Sequence, residues 1–272
     1  MRFGVTPYLN ARLLARGLSD EPGIEVVYGT PATLADQLRV GRLDAAFVSS
    51  SEYFNGDYVI VPGCAISSRG RGADAMLFCN VPLPRLRAVA LDSASRSTNL
   101  LLRLALHWLQ PGSAIQFHIR PGDSCRSLRE LDACLLIGDV ALSQCHGSRH
   151  RYDLAEVWHE RTSLPMVLTV WLTRPGADPA IAEIVRGAYR RGCDQLEEII
   201  TETAFDRGWP AAFIRHYLTE VLDYRWTAEH ERSLRLFGEA LHSLGLVEHK
   251  RELRYLGEQS GRVQDAAASQ AT

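Results

Sequence analysis

Short apolar runs alternate with helix-like patterns along the first fifty residues. The apolar runs predict strands at 2–6, 24–28 and 43–49. Helical spacing is found between them at 11–17 and 31–41, and Pro31 and Gly41 flank the second helix as start and stop signals. The resulting β-α-β-α-β order predicts a parallel sheet with helices on its faces, which is an α/β fold.

A second α/β set starts near residue 86. Apolar runs predict further strands at 88–91, 114–119 and 134–137. A strand at 166–172 is followed by helical patterns at 179–200, 210–224 and 228–244. The residues after Gly257 are small and polar and predict a frayed tail.

This organisation predicts two lobes with a ligand cleft between them. We expect one lobe to comprise 1–85 plus 166–272 and the other to comprise 86–165. Ligands of α/β sheets bind beyond the carboxyl ends of the strands, so the loops at those ends are expected to face the cleft.

Charge and composition narrow the function classes. The 272 residues include 30 basic and 32 acidic side chains without long runs, which predicts neither a nucleic-acid nor a membrane partner. Six cysteines form no C-x-x-C pair, and no secretory signal pattern is visible, so we expect a reduced, cytoplasmic protein. No dinucleotide, P-loop or nucleophile-elbow motif is present, and no metal or cofactor is expected.

The segment 92–99 is the first candidate site. It is rich in hydroxyl groups and connects a predicted strand to the apolar helix at 100–109. Unpaired amides at a helix start bind carboxylates and phosphates, so we expect Ser95, Arg96, Ser97 and Thr98 to hold an anionic small molecule. The structural alternative is that Ser93 or Ser95 only caps the helix.

Two other strand ends carry candidate ligands. Tyr8 and Asn10 follow the first strand, and Asn10 either hydrogen-bonds the ligand or caps the first helix. Ser49 and Ser50 follow the third strand and are candidate ligand residues, whereas we expect Glu52 to be structural because it would repel an anion.

Gly138 and Asp139 follow the buried strand at 134–137, and we expect them to support the site without touching the ligand. Asp139 could be a general base, but it could equally cap a helix at 140–144. His146 and His150 form the one close histidine pair, and no carboxylate accompanies it at ligand spacing, so a metal site is not expected.

Several segments together resemble the chorismate dehydratases of the futalosine route to menaquinone. They cover most of residues 1–172 in the family's order. The matching stretches are 8–11 (Tyr-Leu-Asn-Ala), 52–53 (Glu-Tyr), 61–63 (Val-Pro-Gly), 65–67 (Ala-Ile-Ser), 89–97 (Val-Ala-Leu-Asp-Ser-Ala-Ser-Arg-Ser), 135–142 (Leu-Leu-Ile-Gly-Asp-Val-Ala-Leu), 153–154 (Asp-Leu), Trp158 and 164–171.

The resemblance implies a two-lobed fold like type II periplasmic binding proteins, used as an enzyme. It also implies loss of water from chorismate, giving 3-[(1-carboxyvinyl)oxy]benzoate. The substrate carries two carboxylates, and removal of the C3 proton with the C4 hydroxyl makes its ring aromatic. On this basis Asn10 orients the departing hydroxyl, while the base is either a protein group or the substrate's own side-chain carboxylate.

One position departs from the family. Where the resemblance leads us to expect a small hydroxyl residue, this chain has Asp74. Asp74 is therefore a candidate catalytic base, or else a solvent-facing residue if the alignment is shifted by one. Two rival functions remain open: the related synthase that makes 1,4-dihydroxy-6-naphthoate, and a non-catalytic binding protein for an aromatic carboxylate. The chain is expected to be a monomer or a homodimer.

Overall fold

Two β-sheets, one of six strands and one of five, organise the part of the chain that the structure describes. The computed structural model describes residues 1–72, 74–121, 125–143 and 148–257. The strands are β1 (Arg2–Val5), β2 (Glu25–Tyr28), β3 (Ala45–Ser49), β4 (Val59–Ser68), β5 (Ala75–Cys79), β6 (Ala88–Asp92), β7 (Gln116–Arg120), β8 (Ala133–Ile137), β9 (His150–Asp153), β10 (Met166–Thr173) and β11 (Leu222–Arg225).

The six-stranded sheet has the order β11-β4-β10-β3-β1-β2 and the five-stranded sheet the order β7-β6-β8-β5-β9. Strand β1 runs parallel to both β2 and β3, as the β-α-β-α-β pattern predicted. Strand β10 then enters the first sheet antiparallel to β3 and β4. Every residue of β3 and of β8 is buried, which confirms that these apolar strands are covered on both faces.

Helices cover both sheets. They are α1 (Arg12–Ser19), α2 (Pro31–Arg39), α3 (Glu52–Asn55), α4 (Arg96–Leu109), α5 (Gly138–Leu142), α6 (Leu154–Thr162), α7 (Ala180–Asp194), α8 (Leu196–Arg207), α9 (Ala211–His216) and α10 (Ala228–Ser243), with 3₁₀ turns at Leu9–Ala11, Leu83–Arg85 and Cys125–Arg129 and a π-helical turn at Tyr217–Val221. Helices α1 and α7 approach so closely that a Cβ on Gly17 would lie 1.8 Å from the carbonyl oxygen of Ala188. The first of these helices therefore needs a glycine at the crossing.

The second lobe begins earlier in the chain than expected. Strand β5 pairs with β8 and β9 in the five-stranded sheet, although it precedes the expected boundary at residue 86. The expected start of this lobe at residue 86 is therefore wrong: the chain crosses between β4 and β5, and it returns before β10. We call the six-stranded sheet with its helices the first lobe, and the five-stranded sheet with α4, α5 and α6 the second lobe.

The region 210–224 is not one helix. Helix α9 ends at His216, a π-helical turn follows, and the chain then extends into β11 at the edge of the first sheet. The pattern 179–200 also divides into two helices, α7 and α8. The predicted tail after Gly257 lies outside the described residues.

A single apolar cluster joins the two lobes through α10. Trp158 of α6 packs edge-on against Phe237 of α10 at 5.6 Å, and its indole N–H donates to the Ser233 hydroxyl at 3.1 Å. The same cluster includes Leu38 of α2 and Leu104 of α4. The last helix thus packs onto both lobes of its own chain.

The cysteines differ in state. Cys64, Cys79 and Cys134 are buried free thiols, and burial raises the pKa of each to about 12. Cys193 is free and exposed. Cys125 is disulfide-bonded, so the expectation of reduced cysteines is wrong at this residue.

Within the described ranges, no helix has both the length and the hydrophobicity that a bilayer crossing requires.

Candidate active site

Three buried carboxylates lie along one edge of the second sheet. Asp92 ends β6, and Asp139 follows the end of the parallel strand β8. Asp74 precedes the antiparallel strand β5, whose first residue pairs with the last residue of β8. The carboxyl ends of β6 and β8 therefore bring Asp74, Asp92 and Asp139 to the same side, where the first lobe meets the second.

Beside them, hydroxyl groups of the two lobes meet; we call Ser49, Ser51, Ser95, Ser97 and Thr98 the hydroxyl cluster. All five residues are buried. The Ser49 and Ser95 hydroxyls are 3.3 Å apart, and Ser51 donates its backbone N–H to the Ser97 hydroxyl at 2.9 Å. The Ser51 and Ser97 hydroxyls also hydrogen-bond each other.

The start of α4 supplies both the cap and the cluster. Ser95 is the N-cap residue, and its hydroxyl accepts from the Thr98 backbone N–H at 3.3 Å and contacts the Thr98 hydroxyl at 2.9 Å. The capping interpretation of Ser95 is therefore confirmed. Its hydroxyl also reaches Ser49, so capping and a role between the lobes are compatible.

Ser50 does not join the cluster. Ser50 and Ser51 lie in the turn between β3 and α3, and the Ser49 and Ser51 hydroxyls contact the second lobe whereas the Ser50 hydroxyl does not. Its hydroxyl donates to the carbonyl oxygen of Val167 at 2.7 Å. The Ser50 hydroxyl is thus engaged within the first lobe, and the neighbouring Ser51 contacts Ser97 of the second lobe.

Arg96 is engaged with carboxylates of the first lobe. Its guanidinium donates to both Asp36 oxygens at 3.0 and 2.8 Å and to Glu52 at 3.5 Å. Glu52 is buried, and desolvation raises its pKa despite Arg96. Arg96 therefore bridges the lobes and has its charge matched within the protein. The expected structural role of Glu52 agrees with this geometry.

Asp74 is buried and not solvent-facing. Its Oδ2 accepts hydrogen bonds from the Asn10 amide and the Tyr217 hydroxyl, both at 3.0 Å. Its Oδ1 is buried and has no hydrogen-bond partner among the described residues. Desolvation raises the pKa of Asp74 to about 6, and the two hydrogen bonds oppose that rise.

Asn10 is not a helix cap. It lies in the 3₁₀ turn before α1, and no side-chain hydrogen bond caps either element. Its side-chain amide binds Asp74, and its backbone carbonyl accepts from the Tyr224 hydroxyl at 2.7 Å. Both contacts fix the residue at the meeting point of the lobes.

The Tyr8 ring packs against Gly138 of the second lobe, where the lack of a side chain leaves space for the ring. Gly138 has φ +55°, and a Cβ there would lie 2.9 Å from the Tyr8 ring. Burial, followed by the nearby Asp92 and Asp139, raises the pKa of Tyr8 to about 12, so its hydroxyl is a donor at neutral pH.

Asp139 ties the second lobe to the first. It lies within α5 and does not cap that helix; its Oδ1 instead accepts from the Leu9 backbone N–H at 2.8 Å. Its Oδ2 pairs with Arg207 at 2.7 Å. The pKa of Asp139 is raised by burial, and these two partners oppose the rise. A carboxylate so engaged supports the site and is poorly placed as a base.

Four residues of the site were not predicted as such from the sequence: Ser51, Arg207, Tyr217 and Tyr224. Ser51 lies in the turn just beyond β3, next to the two serines that the strand end indicated. The other three come from the C-terminal half, and no local pattern relates Tyr217 and Tyr224 to partners 143 and 214 residues earlier in the chain.

The described part of the chain contains no group of three or more His, Cys, Asp or Glu side chains able to hold a metal ion. His146 lies outside the described residues. The arrangement instead offers hydroxyls, a helix start, the Asn10 amide and the Asp74 carboxyl group, which suits binding of an anion and movement of a proton.

Comparison with solved structures shows the fold. A protein from Archaeoglobus fulgidus superposes with a TM-score of 0.74 at 18% identity, covering 90% of this chain and 98% of that one. The periplasmic aliphatic sulphonate binding protein of Escherichia coli gives a TM-score of 0.64 at 20% identity, covering 92% and 94%. The expected two-lobed, periplasmic-binding-protein-like α/β fold is confirmed.

Sequence comparison shows the family. A chorismate dehydratase from Thermus thermophilus is 29% identical over 259 residues, covering 88% of this chain and 94% of that protein. A family model described as menaquinone biosynthesis matches residues 1–243. The chain belongs to the menaquinone biosynthesis family.

Proposed function

We propose that the protein is a chorismate dehydratase, a carbon-oxygen lyase that eliminates water from chorismate to give 3-[(1-carboxyvinyl)oxy]benzoate. The observation that carries the proposal is the hydroxyl cluster between the lobes, built on the start of α4. Such a site suits a carboxylate, and the Thermus thermophilus relative that spans most of the chain is named for this reaction.

The hydroxyl cluster would hold a substrate carboxylate. The first amides of α4 have no partner within the helix, and the helix dipole favours an anion at that point. Separation of the lobes would break the Ser49–Ser95 and Ser51–Ser97 contacts, and a carboxylate would take over these donors. Arg96 is already paired with Asp36 and Glu52, so its part in the proposal is to close the lobes over the substrate.

Asp74 is the proposed base. Its Oδ1 takes the proton from C3, and the electrons of the broken C–H bond enter the ring as the C4–O bond breaks. The proton then leaves with the C4 hydroxyl as water, so the step needs no oxidant or reductant. Asn10, held on Asp74, orients the departing hydroxyl. A carboxyl group with a pKa of about 6 is mostly ionised at neutral pH and is well matched to this task.

The environment of Asp74 sets the pH dependence. The two negative charges of chorismate would raise the pKa of Asp74 further in the complex. We therefore expect kcat/KM to fall below about pH 6, and kcat to fall at a pH no lower than that. The direction follows because protonated Asp74 cannot accept the C3 proton.

Incubation of the purified protein with chorismate tests the function. We expect loss of the diene absorbance and a product lighter by one water. Unchanged chorismate would refute the proposal. A calorimetric signal in that sample would then indicate a binding protein, and turnover of a nucleoside-derived acid would indicate the naphthoate synthase.

A chorismate analogue esterified at the side-chain carboxyl group tests the base. If Asp74 is the base, the ester keeps its dehydration step, whereas a base supplied by the substrate itself would be lost. Asp74→Ser provides the second arm, because it restores the small hydroxyl that the family resemblance implies. We expect kcat to fall by about 10²-fold or more in this variant.

A cytoplasmic location and a monomeric or dimeric state belong to the same proposal. The support for the location is the biosynthetic family to which the chain belongs. Chorismate is the proposed partner, and no nucleic acid or membrane partner is proposed.

A further inference from the structure

Residues 217–224, which we call the tyrosine segment, reach the site from the far end of the chain. The segment consists of the π-helical turn after α9 and the first residues of β11. Tyr217 and Tyr224 are both buried. Their hydroxyls donate to the Asp74 carboxylate at 3.0 Å and to the Asn10 carbonyl at 2.7 Å. The two proposed catalytic residues are thus both held by this one segment.

The backbone of the segment fixes the Tyr217 ring. A π-helical turn shifts the following side chains around the helix axis, and such turns are frequent at functional sites. The Tyr217 ring stacks on Phe213, one turn earlier, with centroids 6.4 Å apart and planes inclined by 12°. The Tyr217 side chain is therefore restrained in a position from which its hydroxyl contacts Asp74.

Tyr217 can act only as a donor to Asp74. Burial, and then the charge of Asp74, raise the pKa of Tyr217 well above its ordinary value, so the hydroxyl keeps its proton. Asn10 supplies the second donor to the same oxygen, Oδ2. With both donors on Oδ2, the other oxygen of Asp74 is left as the acceptor.

The remaining titratable groups around Asp74 are carboxylates and buried, neutral phenols. Asp153, at the start of α6, raises the pKa of Asp74. Asp139 on α5 raises the pKa of Tyr217, and the Asp139 carboxylate is itself paired with Arg207. Tyr224 is buried and protonated. Tyr217 and Asn10 are the side chains that favour the ionised form of Asp74, together with a backbone hydrogen bond at Asp74 itself.

We propose that Tyr217 is a positioning residue of the dehydration site: it binds Oδ2 of Asp74, stabilises the carboxylate and leaves Oδ1 as the oxygen that takes the substrate proton. The inference rests on the proposed function and deepens it. It assigns part of the site to a segment near the end of the chain that contacts the base, not the substrate.

Tyr217→Phe tests this assignment, with Tyr189→Phe as the matched control. Tyr189 stacks on Tyr224 at 5.5 Å, so its substitution removes a nearby tyrosine hydroxyl that does not bind Asp74. In Tyr217→Phe, the loss of one hydrogen bond to a charged group should shift the acid limb of kcat/KM upward by about one pH unit. At pH 6 the variant should be roughly fivefold slower, and above pH 8 it should approach wild type.

A structural role alone would give a different profile. An equal loss of kcat/KM at every pH, or an unmoved acid limb, would overturn the proposal. The pKa of Asp74 can also be read from the carboxyl ¹³C signal that disappears in Asp74→Asn. That signal should titrate at higher pH in Tyr217→Phe than in wild type or Tyr189→Phe. An unmoved titration would refute the role of Tyr217 even if the protein does not dehydrate chorismate.

Discussion

Replacement of Asp74 by Asn should stabilise the protein at neutral pH. The side chains have the same shape, and the Asn carbonyl oxygen can accept from Asn10 and Tyr217 in place of Oδ2. The Asn NH₂ would then replace Oδ1, which is already without a partner in the described residues. The substitution therefore removes a buried charge and leaves the number of satisfied hydrogen bonds unchanged.

The pKa of Asp74 gives the magnitude of the expected change in the free energy of unfolding. Desolvation raises the Asp74 pKa from 3.8 to about 6, so the folded state binds more protons than the unfolded state between these values. The free energy of unfolding accordingly falls as pH rises through this window, and the loss is complete above it. A shift of about two units corresponds to about 3 kcal/mol at pH 8, of which roughly half is already lost at pH 5.

Urea denaturation of wild type and Asp74→Asn at pH 5 and pH 8 measures this difference. We expect the variant to be more stable at both values, with its advantage growing by about 1.5 kcal/mol from pH 5 to pH 8. Asp178→Asn makes the same chemical change at an exposed residue at the start of α7 and serves as the control.

An Asp74→Asn protein that is less stable than wild type at pH 8, or whose difference from wild type does not change with pH, would refute this reasoning. Either result would mean that the carboxylate is well solvated or well paired in the folded state. The large desolvation assigned to Asp74, and with it the poised base, would then be incorrect.

Three further substitutions test the interface between the lobes. Ser97→Ala should lower kcat/KM for chorismate by about 10- to 100-fold, chiefly by raising KM. The control is Ser50→Ala, which removes a hydroxyl that faces the first lobe and should leave kcat and KM within about twofold of wild type. Gly138→Ala should lower the free energy of unfolding, measured in urea, by about 2 kcal/mol. The backbone at φ +55° is strained for alanine, and the new Cβ would lie 2.9 Å from the Tyr8 ring. Unchanged stability would count against that packing. Arg96→Met should destabilise by about 1–3 kcal/mol, discounted for the partial exposure of Arg96, because it leaves the buried Glu52 without this cation. Arg96→Met combined with Glu52→Gln should recover part of the loss, and strictly additive effects in this double-mutant cycle would contradict the pairing.

The buried strands could be predicted where burial makes them continuous apolar runs. Strands β3 and β8 were found in this way, and the helix starts at Pro31 and Ser95 followed from local capping chemistry. The boundary of the second lobe could not be found in this way. Strand β5 is as apolar as its neighbours, and only its pairing with β8 and β9 assigns it to the second sheet.

The site was predictable where it depends on strand ends. Asn10, Ser49, Ser95 and Asp139 all lie where the lobes meet, as their positions after strands indicated. Arg96 shows the limit of this reasoning. Its position at a helix start suggested an anion ligand, but Asp36 of the first lobe, 60 residues earlier in the chain, takes its guanidinium.

The conformation of the tyrosine segment could not be predicted from the sequence, because it depends on pairing with a distant strand. Apolar residues at helical spacing predicted one helix over 210–224, whereas pairing with β4 extends the chain into β11. Tertiary pairing overrides local helix propensity here. The contact of Tyr217 with Asp74 spans 143 residues, and no local signal reports it.

The rate of chorismate dehydration by wild type and by Asp74→Asn, measured side by side at pH 8, tests the central claim most directly. We predict that wild type yields the aromatic product lighter by one water. The folded and more stable Asp74→Asn protein should yield it at least about 10²-fold more slowly, because the proton acceptor is gone. Unchanged chorismate with wild type, or equal rates in the two proteins, would contradict the account.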